Sequence, residues 1–369
     1  MRSSTNRPKA GIPDKFQHPT VVDIAARAGV APMTVSRVIN GTGYVSTELR
    51  ERVQQVVEEV GYLPNALARS LKRKRTHVIG ILLPDIANPF SAELARSIQQ
   101  VLLEKKYSAF ITTTEQSVER EQAALRAFFD HRVDGVIVAT METPAGNDAL
   151  RKFINRGMAI VMVGRALSQS PVDRVTSDYW KGAYEAVEYL ISLGHTRIAF
   201  LGASVLNAGR LRRFQGFMDA LRDHQILVPD EWIVGPNTGF GPAYSTQQDG
   251  YEGMQQLLAL PNRPSAVFAR NDFTAFGAMC AIRDAGLSIP QDVAVIGFDN
   301  VPLAAYFTPA LTTVEQPTAE LGRKAATMLL ERIEGASPEA PREVCFPCRL
   351  ITRESTAKVK NTKTHAESS

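Results

Sequence analysis

Between residues 32 and 40 the chain reads PMTVSRVIN, and a helix there would leave Pro32, Met33, Thr34, Ser36, Arg37 and Asn40 facing outward. These side chains suit a DNA groove. A guanidinium can fork onto O6 and N7 of guanine, which assigns that contact to Arg37, while Pro32 and Met33 can touch thymine methyl groups but cannot hydrogen-bond. Thr34, Ser36 and Asn40 carry hydroxyl and amide groups of the kind that fix phosphates. The charge distribution points the same way. Residues 1 to 77 hold 13 Lys and Arg against 6 Asp and Glu, the remainder 29 against 32, so the net +4 of the whole chain conceals a basic N-terminal part. A polyanionic partner fits that asymmetry, although a solvated basic face would fit charge alone, and the helical pattern has to decide.

Other reactive residue types do not assemble into a site. Three cysteines, Cys280, Cys345 and Cys348, are too few for a disulfide framework in 369 residues. The CFPC pair has C-x-x-C spacing, yet VCFPCRLITR alternates like a strand, no helix follows to lower a thiol pKa, and no second pair completes a zinc site. Histidines stand scattered at 18, 77, 131, 195, 224 and 365, and His195 in ISLGHTRIAF is expected to cap a helix end before a strand. No G-x-G-x-x-G follows a strand, and there is no G-x-x-x-x-G-K-[ST], H-E-x-x-H or G-x-S-x-G. The expectation is a protein that is not an enzyme, with no catalytic residues, no metal ligands and no cofactor.

The elements that must hold the outward side chains are legible. Thr20 followed by Asp23 marks a helix start, Ile24, Ala25 and Ala28 share its buried face, and Gly29 supplies the turn. Pro32 suits the first position of the second helix, whose inner face is Val35, Val38 and Ile39. A third helix from about Ser46 brings Leu49, Val53, Val56, Val57 and Val60 across the first two. The product is a helix-turn-helix. After it comes LPNALARSLKRKRTHVIGILLPD, two possible helical turns and the basic run Lys72 to Arg75 before an apolar strand.

From His77 onward, short apolar strands such as VIGILLPD, GVIVAT, RIAFLG and VAVIGFDN alternate with amphipathic helices, the pattern of parallel sheets covered on both faces. About 290 residues of such units exceed one comfortable core, so two α/β lobes are expected. The first 18 residues read as a loose polar arm without the apolar run of a secretion signal, and no window approaches a membrane-spanning length. The expected location is therefore cytoplasmic, with no membrane partner.

DIAARAGVAPMTVSRVIN, then GYLPNALARSL, and later landmarks out to RLITRES closely resemble the lactose and purine repressor family of bacterial transcription regulators. One departure is Ala31, where the family usually carries a capping serine. The resemblance implies an all-α helix-turn-helix headpiece (residues 19 to 63, with Thr20 among its DNA contacts), a hinge helix (64 to 75), and an α/β two-lobed periplasmic-binding-protein-like domain with parallel sheets (76 to 355), preceded by a disordered arm and followed by a flexible tail (356 to 369). Lobe one would comprise about 76 to 177 and 317 to 345, lobe two about 178 to 316 and 346 to 355, with crossings near Asp178, Gln316 and Phe346. In the hinge, Asn65 matches the N-cap, Leu67 and Ala68 match the contact between two copies, and Leu71 matches the wedge that enters the minor groove. A two-turn helix is unstable alone in water, so such a hinge should order only with partner and DNA.

The same resemblance implies a small-molecule effector between the lobes, where Arg213, Asp299 and Asn271 match ligand-contacting positions and Phe90 offers an aromatic face for a sugar ring or a base. Arg165 and Asn207 fall at variable cleft positions. A carboxylate, an amide and a guanidinium suit a polyhydroxylated ligand, so a sugar or sugar acid is expected. A purine- or nucleoside-responsive member is the alternative, disfavoured because Asn207 and Gly209 stand where such members carry Arg and Thr. A plain solute-binding protein would need an export signal and no headpiece. The partners implied are a pseudo-palindromic double-stranded DNA operator and a second copy of the chain, as a dimer because STAKVKNTKTHAESS lacks leucine heptads.

Overall fold

The computed structural model describes residues 19–62, 75–115, 117–140, 144–165, 172–202, 208–235 and 247–358. The chain divides into two compact units, one ending at Thr76 and the other beginning at His77. The arm before residue 19, hinge positions Asn65, Ala68 and Leu71, cleft position Asn207 and the tail beyond 358 lie outside the described residues.

In the first unit three helices are described, α1 (Val21–Ala28), α2 (Pro32–Asn40) and α3 (Thr47–Glu59). Thr20 and Asp23 cap α1 reciprocally: the Thr20 oxygen accepts the Asp23 amide at 3.3 Å and the Asp23 carboxylate accepts the Thr20 amide at 2.8 Å. Gly29, at φ +64°, takes the left-handed conformation that lets the chain turn into α2. Ala31 gives α2 no side-chain cap, forgoing about 1 kcal/mol, and Pro32 fills the first position. Ile24, Ala25, Ala28, Val35, Val38 and Val53 form the core, closed by Tyr62, which the helical periodicity does not reveal.

The second unit holds two six-stranded sheets. Lobe one is built from β1 (Val78–Leu83), α4 (Pro89–Glu104), β2 (Ser108–Thr113), α5 (Val118–Asp130), β3 (Gly135–Val138), α6 (Pro144–Ile154), β4 (Ala159–Val163) and β5 (Asp173–Ser177). Lobe two follows with α7 (Tyr179–Ser192), β6 (Ile198–Leu201), α8 (Ala208–Asp223), β7 (Ile233–Val234), α9 (Gln247–Leu258), β8 (Ala266–Ala269), α10 (Asp272–Asp284), β9 (Ala294–Asp299) and β10 (Thr312–Glu315). The chain then returns α11 (Thr318–Glu334) and β11 (Glu343–Phe346) to lobe one and sends β12 (Arg349–Ile351) to lobe two. The sheet orders are β11-β5-β4-β3-β1-β2 and β12-β10-β9-β8-β6-β7. All pairs are parallel except β12 against β10. Each sheet has an apolar cluster on both faces, which is why strands such as VIGILL are apolar without alternation.

Two expectations need correction. VCFPCRLITR, which alternates like one strand, is divided: Phe346 ends β11 opposite Ser177 in lobe one, and Arg349 begins β12 opposite Glu315 in lobe two. Pro347 between them has no N–H for either ladder, so Phe346 belongs to lobe one and the crossing lies at Pro347 and Cys348. Burial raises the pKa of both thiols, that of Cys348 to about 12, so neither favours a reactive thiolate. The ordered domain also runs past residue 355. The Ser355 hydroxyl donates to the Val295 carbonyl at 2.6 Å and accepts the Thr312 amide at 2.8 Å, and Thr356 is buried.

His195 caps no helix through its ring. Its backbone N–H donates to the Leu190 carbonyl, while the imidazole lies buried between the Ser265 hydroxyl (3.0 Å) and the Ala357 carbonyl (3.1 Å). Burial lowers its pKa below the ordinary histidine value, so the fold favours the neutral ring. The unfolded chain then binds the extra proton first. This contribution is complete above the ordinary histidine range and is lost as pH falls through the depressed folded value. We expect denaturant midpoints to fall between pH 7 and pH 5 for the natural chain and to fall less for His195→Gln; identical pH slopes would refute it.

Candidate functional site

On α2 the exposed side chains are Pro32, Met33 and Arg37, with Thr34, Ser36 and Asn40 half-buried. Val35 and Val38 fasten the opposite side to α1 and α3, so the outward set is presented on a helix that cannot rotate without opening the core. Met33 is 62% exposed, an apolar side chain held in water at the start of a recognition helix. Arg37 extends its stem past Gly43. Two residues expected to hold phosphate are engaged within the helix: the Asn40 amide donates to the Ser36 carbonyl at 2.7 Å and to its hydroxyl at 3.3 Å. The Thr20 hydroxyl likewise donates to Asp23 at 2.7 Å, so its established role is the α1 cap. Tyr44, 91% exposed in the turn after α2, was not singled out in the sequence; its only signal is an aromatic residue among turn formers.

The second site lies at the carboxyl ends of the lobe-two strands, the edge at which open α/β sheets bind ligands. Asp299 ends β9 at φ +116°, followed by Asn300 at φ +54°. Non-glycine residues held there store about 1–3 kcal/mol each, so the surrounding structure must impose the turn. Part of that support comes from Asp272, whose buried carboxylate accepts the Val301 amide at 2.7 Å and the Thr313 hydroxyl. Burial raises the Asp272 pKa well above normal, and the neighbouring Asp299 charge raises it further. Helix α10 carries Asp272 and is seated close against α9 by small residues: a Cβ at Gly277 would stand 1.8 Å from the Gln247 carbonyl oxygen.

Asp299 itself is 9% exposed. Burial pushes its pKa up to about 6, against the opposing pull of Arg213, the Gln316 hydrogen bond and Arg270. Gln316, on the second crossing, donates to it at 2.6 Å, and an Arg213 nitrogen on α8 stands 3.6 Å away. The Arg213 guanidinium also donates to the Arg270 carbonyl at 2.7 Å and lies over the Phe298 ring at 4.0 Å and the Tyr179 ring at 4.9 Å. Asn271 is the N-cap of α10, its side-chain oxygen accepting the Thr274 amide at 2.9 Å. The structure thus brings Arg213, Asn271 and Asp299 to one strand edge.

A groove of about 880 Å³ runs from Asp299 and Asn300 past Gln316 and Pro317 to Pro89 and Glu93 at the start of α4 in lobe one. Its size is within the range of small-molecule sites. Phe90, beside it on α4, is half-buried and packs against the lobe-one core. Arg165 does not join this group. It is buried, with one nitrogen 3.2 Å from Glu121 and 2.7 Å from the Thr140 hydroxyl, and the other 2.6 Å from Asn147. A buried cation needs such partners, and they tie it to its own lobe. Arg270 is the site residue that sequence reasoning missed; Asp272 reads only as following a strand beside Asn271, and Gln316 only as a crossing. Arg270 and Asp272 are charges at the end of an apolar strand, a usable signal, whereas nothing local to Gln316 announces its contact.

Among the described residues no group of His, Cys, Asp and Glu could hold a metal ion, and no helix is long and apolar enough to cross a membrane.

Residues 20–65 match bacterial regulatory proteins of the lacI family, and residues 187–356 match a periplasmic binding protein-like domain. The HTH-type transcriptional repressor PurR of Erwinia tasmaniensis is 39% identical over 341 residues, covering 92% of this chain and 97% of that protein. PurR of Escherichia coli is 38% identical over 338 residues with the same coverage. Among solved structures, the lac repressor dimer bound to operator and the anti-inducer ONPF superposes with a TM-score of 0.79 at 25% identity, covering 92% of this chain and all of that one. A LacI family regulator from Enterococcus faecium with bound ribose gives 0.66 at 34% identity, covering 77% of this chain and all of that one.

We expect Arg37→Ala to reduce discrimination at one guanine by about 1–3 kcal/mol, read by selection on a randomised duplex library. An unchanged preference at every guanine would remove Arg37 from base recognition.

Proposed function

This chain belongs to the lacI family of bacterial transcriptional repressors, and from that premise we propose a homodimer whose grip on a pseudo-palindromic operator is set by a sugar or sugar acid bound between its two lobes. The observation that carries the reading is Asp299, which lines an interlobe groove and is faced by Arg213, with Asn271 capping the helix after a neighbouring strand, on a chain that also presents the Arg37 face of a capped helix-turn-helix. A polyhydroxylated ligand supplies hydroxyl donors to the Asp299 carboxylate and acceptors to the Arg213 guanidinium. Such an effector changes the angle between lobes, hence the separation of the two hinge segments, and it acts as a switch only by binding the two arrangements with different affinity. The protein acts on chromosomal DNA in the bacterial cytoplasm and catalyses no reaction.

A purine or nucleoside effector is the second reading, favoured by the identity to proteins named PurR. Against it stand Asn207 and Gly209, and the ribose held by one structural neighbour favours a sugar. A thermal-shift screen of sugars, sugar acids and nucleobases separates them: stabilisation by a nucleobase alone would overturn the sugar reading.

The Asp299→Ala protein should keep natural operator affinity yet lose its response to effector. Normal effector affinity in that variant, measured by calorimetry, would remove Asp299 from the site. Because Asp299 titrates near 6, its accepting, ionised form is lost as pH drops, so effector affinity should weaken below about pH 6 by up to about tenfold per unit. In the hinge, Leu71→Ala should weaken operator binding far more than binding to random duplex, since a minor-groove wedge acts only where the duplex kinks. Equal losses on both duplexes would exclude the wedge.

A further inference from the structure

Arg270 follows β8 and is among the largest fully buried side chains of the molecule, at 1% exposure. A buried guanidinium ordinarily has its five N–H groups matched by acceptors, because leaving them unmatched costs free energy. Here the matching is poor. Nη1 reaches the Gly202 carbonyl at 3.4 Å, a long contact, while Nε and Nη2 have no hydrogen-bond partner among the described residues. The nearest carboxylate, Asp249, stands 4.0 Å from Nη2, beyond hydrogen-bond reach. The two unmatched nitrogens share one edge of the guanidinium plane, and their N–H groups point the same way with the spacing of the two oxygens of a carboxylate.

The surroundings hold this edge in place. Gly202, at the end of β6 with φ +101°, leaves room for the side chain: a Cβ there would stand 2.9 Å from both Cγ and Cδ of Arg270. On the other side, the Arg270 carbonyl accepts from Arg213, the cation already placed against Asp299. The guanidinium therefore belongs to the same strand edge as the effector contacts, and burial depresses its pKa to about 10, as expected of a charge short of compensation.

We infer that the Nε and Nη2 edge of Arg270 is an anion subsite that receives a carboxylate of the effector, which makes that effector a sugar acid and not a neutral sugar. This rests on the proposed interlobe binding site and specifies its ligand class. Asp249 acts as a competitor, close enough to offset part of the positive charge but too far to satisfy the fork.

The test uses full-length protein titrated calorimetrically with matched pairs: glucose and gluconate, galactose and galacturonate, ribose and ribonate. A pentose phosphate and inorganic phosphate form separate arms. One acid should bind at least about a hundredfold more tightly than its neutral partner, the scale of a buried bidentate charge-assisted pair. Arg270→Met should bring that acid down to the level of its partner, and Arg270→Lys, which keeps the charge without the fork, should recover only about a tenth of the affinity. Unliganded Arg270→Met should melt at the natural temperature or above it, because an unsatisfied buried cation has been removed. A lower melting point would show that Arg270 is a structural tie to Asp249 and would overturn the subsite. Equal binding of a neutral sugar by the natural and Arg270→Met proteins would also overturn it while leaving the interlobe site intact, and so would tight binding of phosphate in preference to every carboxylate. If no arm binds and operator affinity ignores them all, the subsite and the sugar reading fail together.

Discussion

A carboxylate kept out of water at the end of a strand must be compensated by whatever the fold can bring to it, and Asp299 imposes that demand on three separate parts of the chain. Arg213 comes from α8, Gln316 from a segment passing between the lobes, and the turn that carries Asp299 is fixed by the amide contact between Val301 and Asp272. Arg213, Asp272 and Gln316 all lie well away from Asp299 in sequence and reach it only through the fold. The compensation is incomplete, as the raised pKa records. A site with residual demand for hydrogen-bond donors can take them from a ligand hydroxyl, whereas a fully satisfied carboxylate would gain little.

The two lobes treat their buried cations differently. In lobe one Arg165 has Glu121, Thr140 and Asn147 as partners, and the cluster is closed upon itself. In lobe two Arg213 is shared between a carbonyl, a carboxylate and two aromatic rings, and Arg270 keeps two nitrogens unmatched among the described residues. Incompletely compensated charge therefore concentrates on lobe two, while lobe one lines the groove at Pro89 and Glu93. Gln316 connects that chemistry to the rest of the molecule, because the side chain that donates to Asp299 belongs to a crossing.

Much of this was legible in the residues. The helix-turn-helix could be read from its caps, its glycine turn and its 3.6-residue apolar period, because those signals are local. Strands β1 to β4 of lobe one and β6, β8 and β9 of lobe two could be read as short apolar runs, whereas β5 (DRVTS), β7 (IV) and β10 (TTVE) offer no such run. Where the reading failed, the deciding interaction was distant in sequence. VCFPCRLITR has the alternation of one strand, but Ser177 and Glu315 claim its two halves for different sheets. Arg165 stands just past a strand end, as Asp299 stands at one, and only the folded positions of Glu121 and Asn147 show that it is tied to its own lobe. His195 looked like a helix cap because its partners, Ser265 and Ala357, are 70 and 162 residues away.

The amide of Asp178 in the first crossing donates to the carbonyl of Phe346, where the third begins, at 2.8 Å. Two of the connectors are thus pinned to each other and behave as a single axle. Bending about that axle deforms few contacts, whereas sliding one lobe along the other would shear the pin. A change of arrangement that keeps this bond whole is confined to the angle between the lobes, and by lever geometry a small change of that angle at the groove would be a larger displacement at the far rim of each lobe.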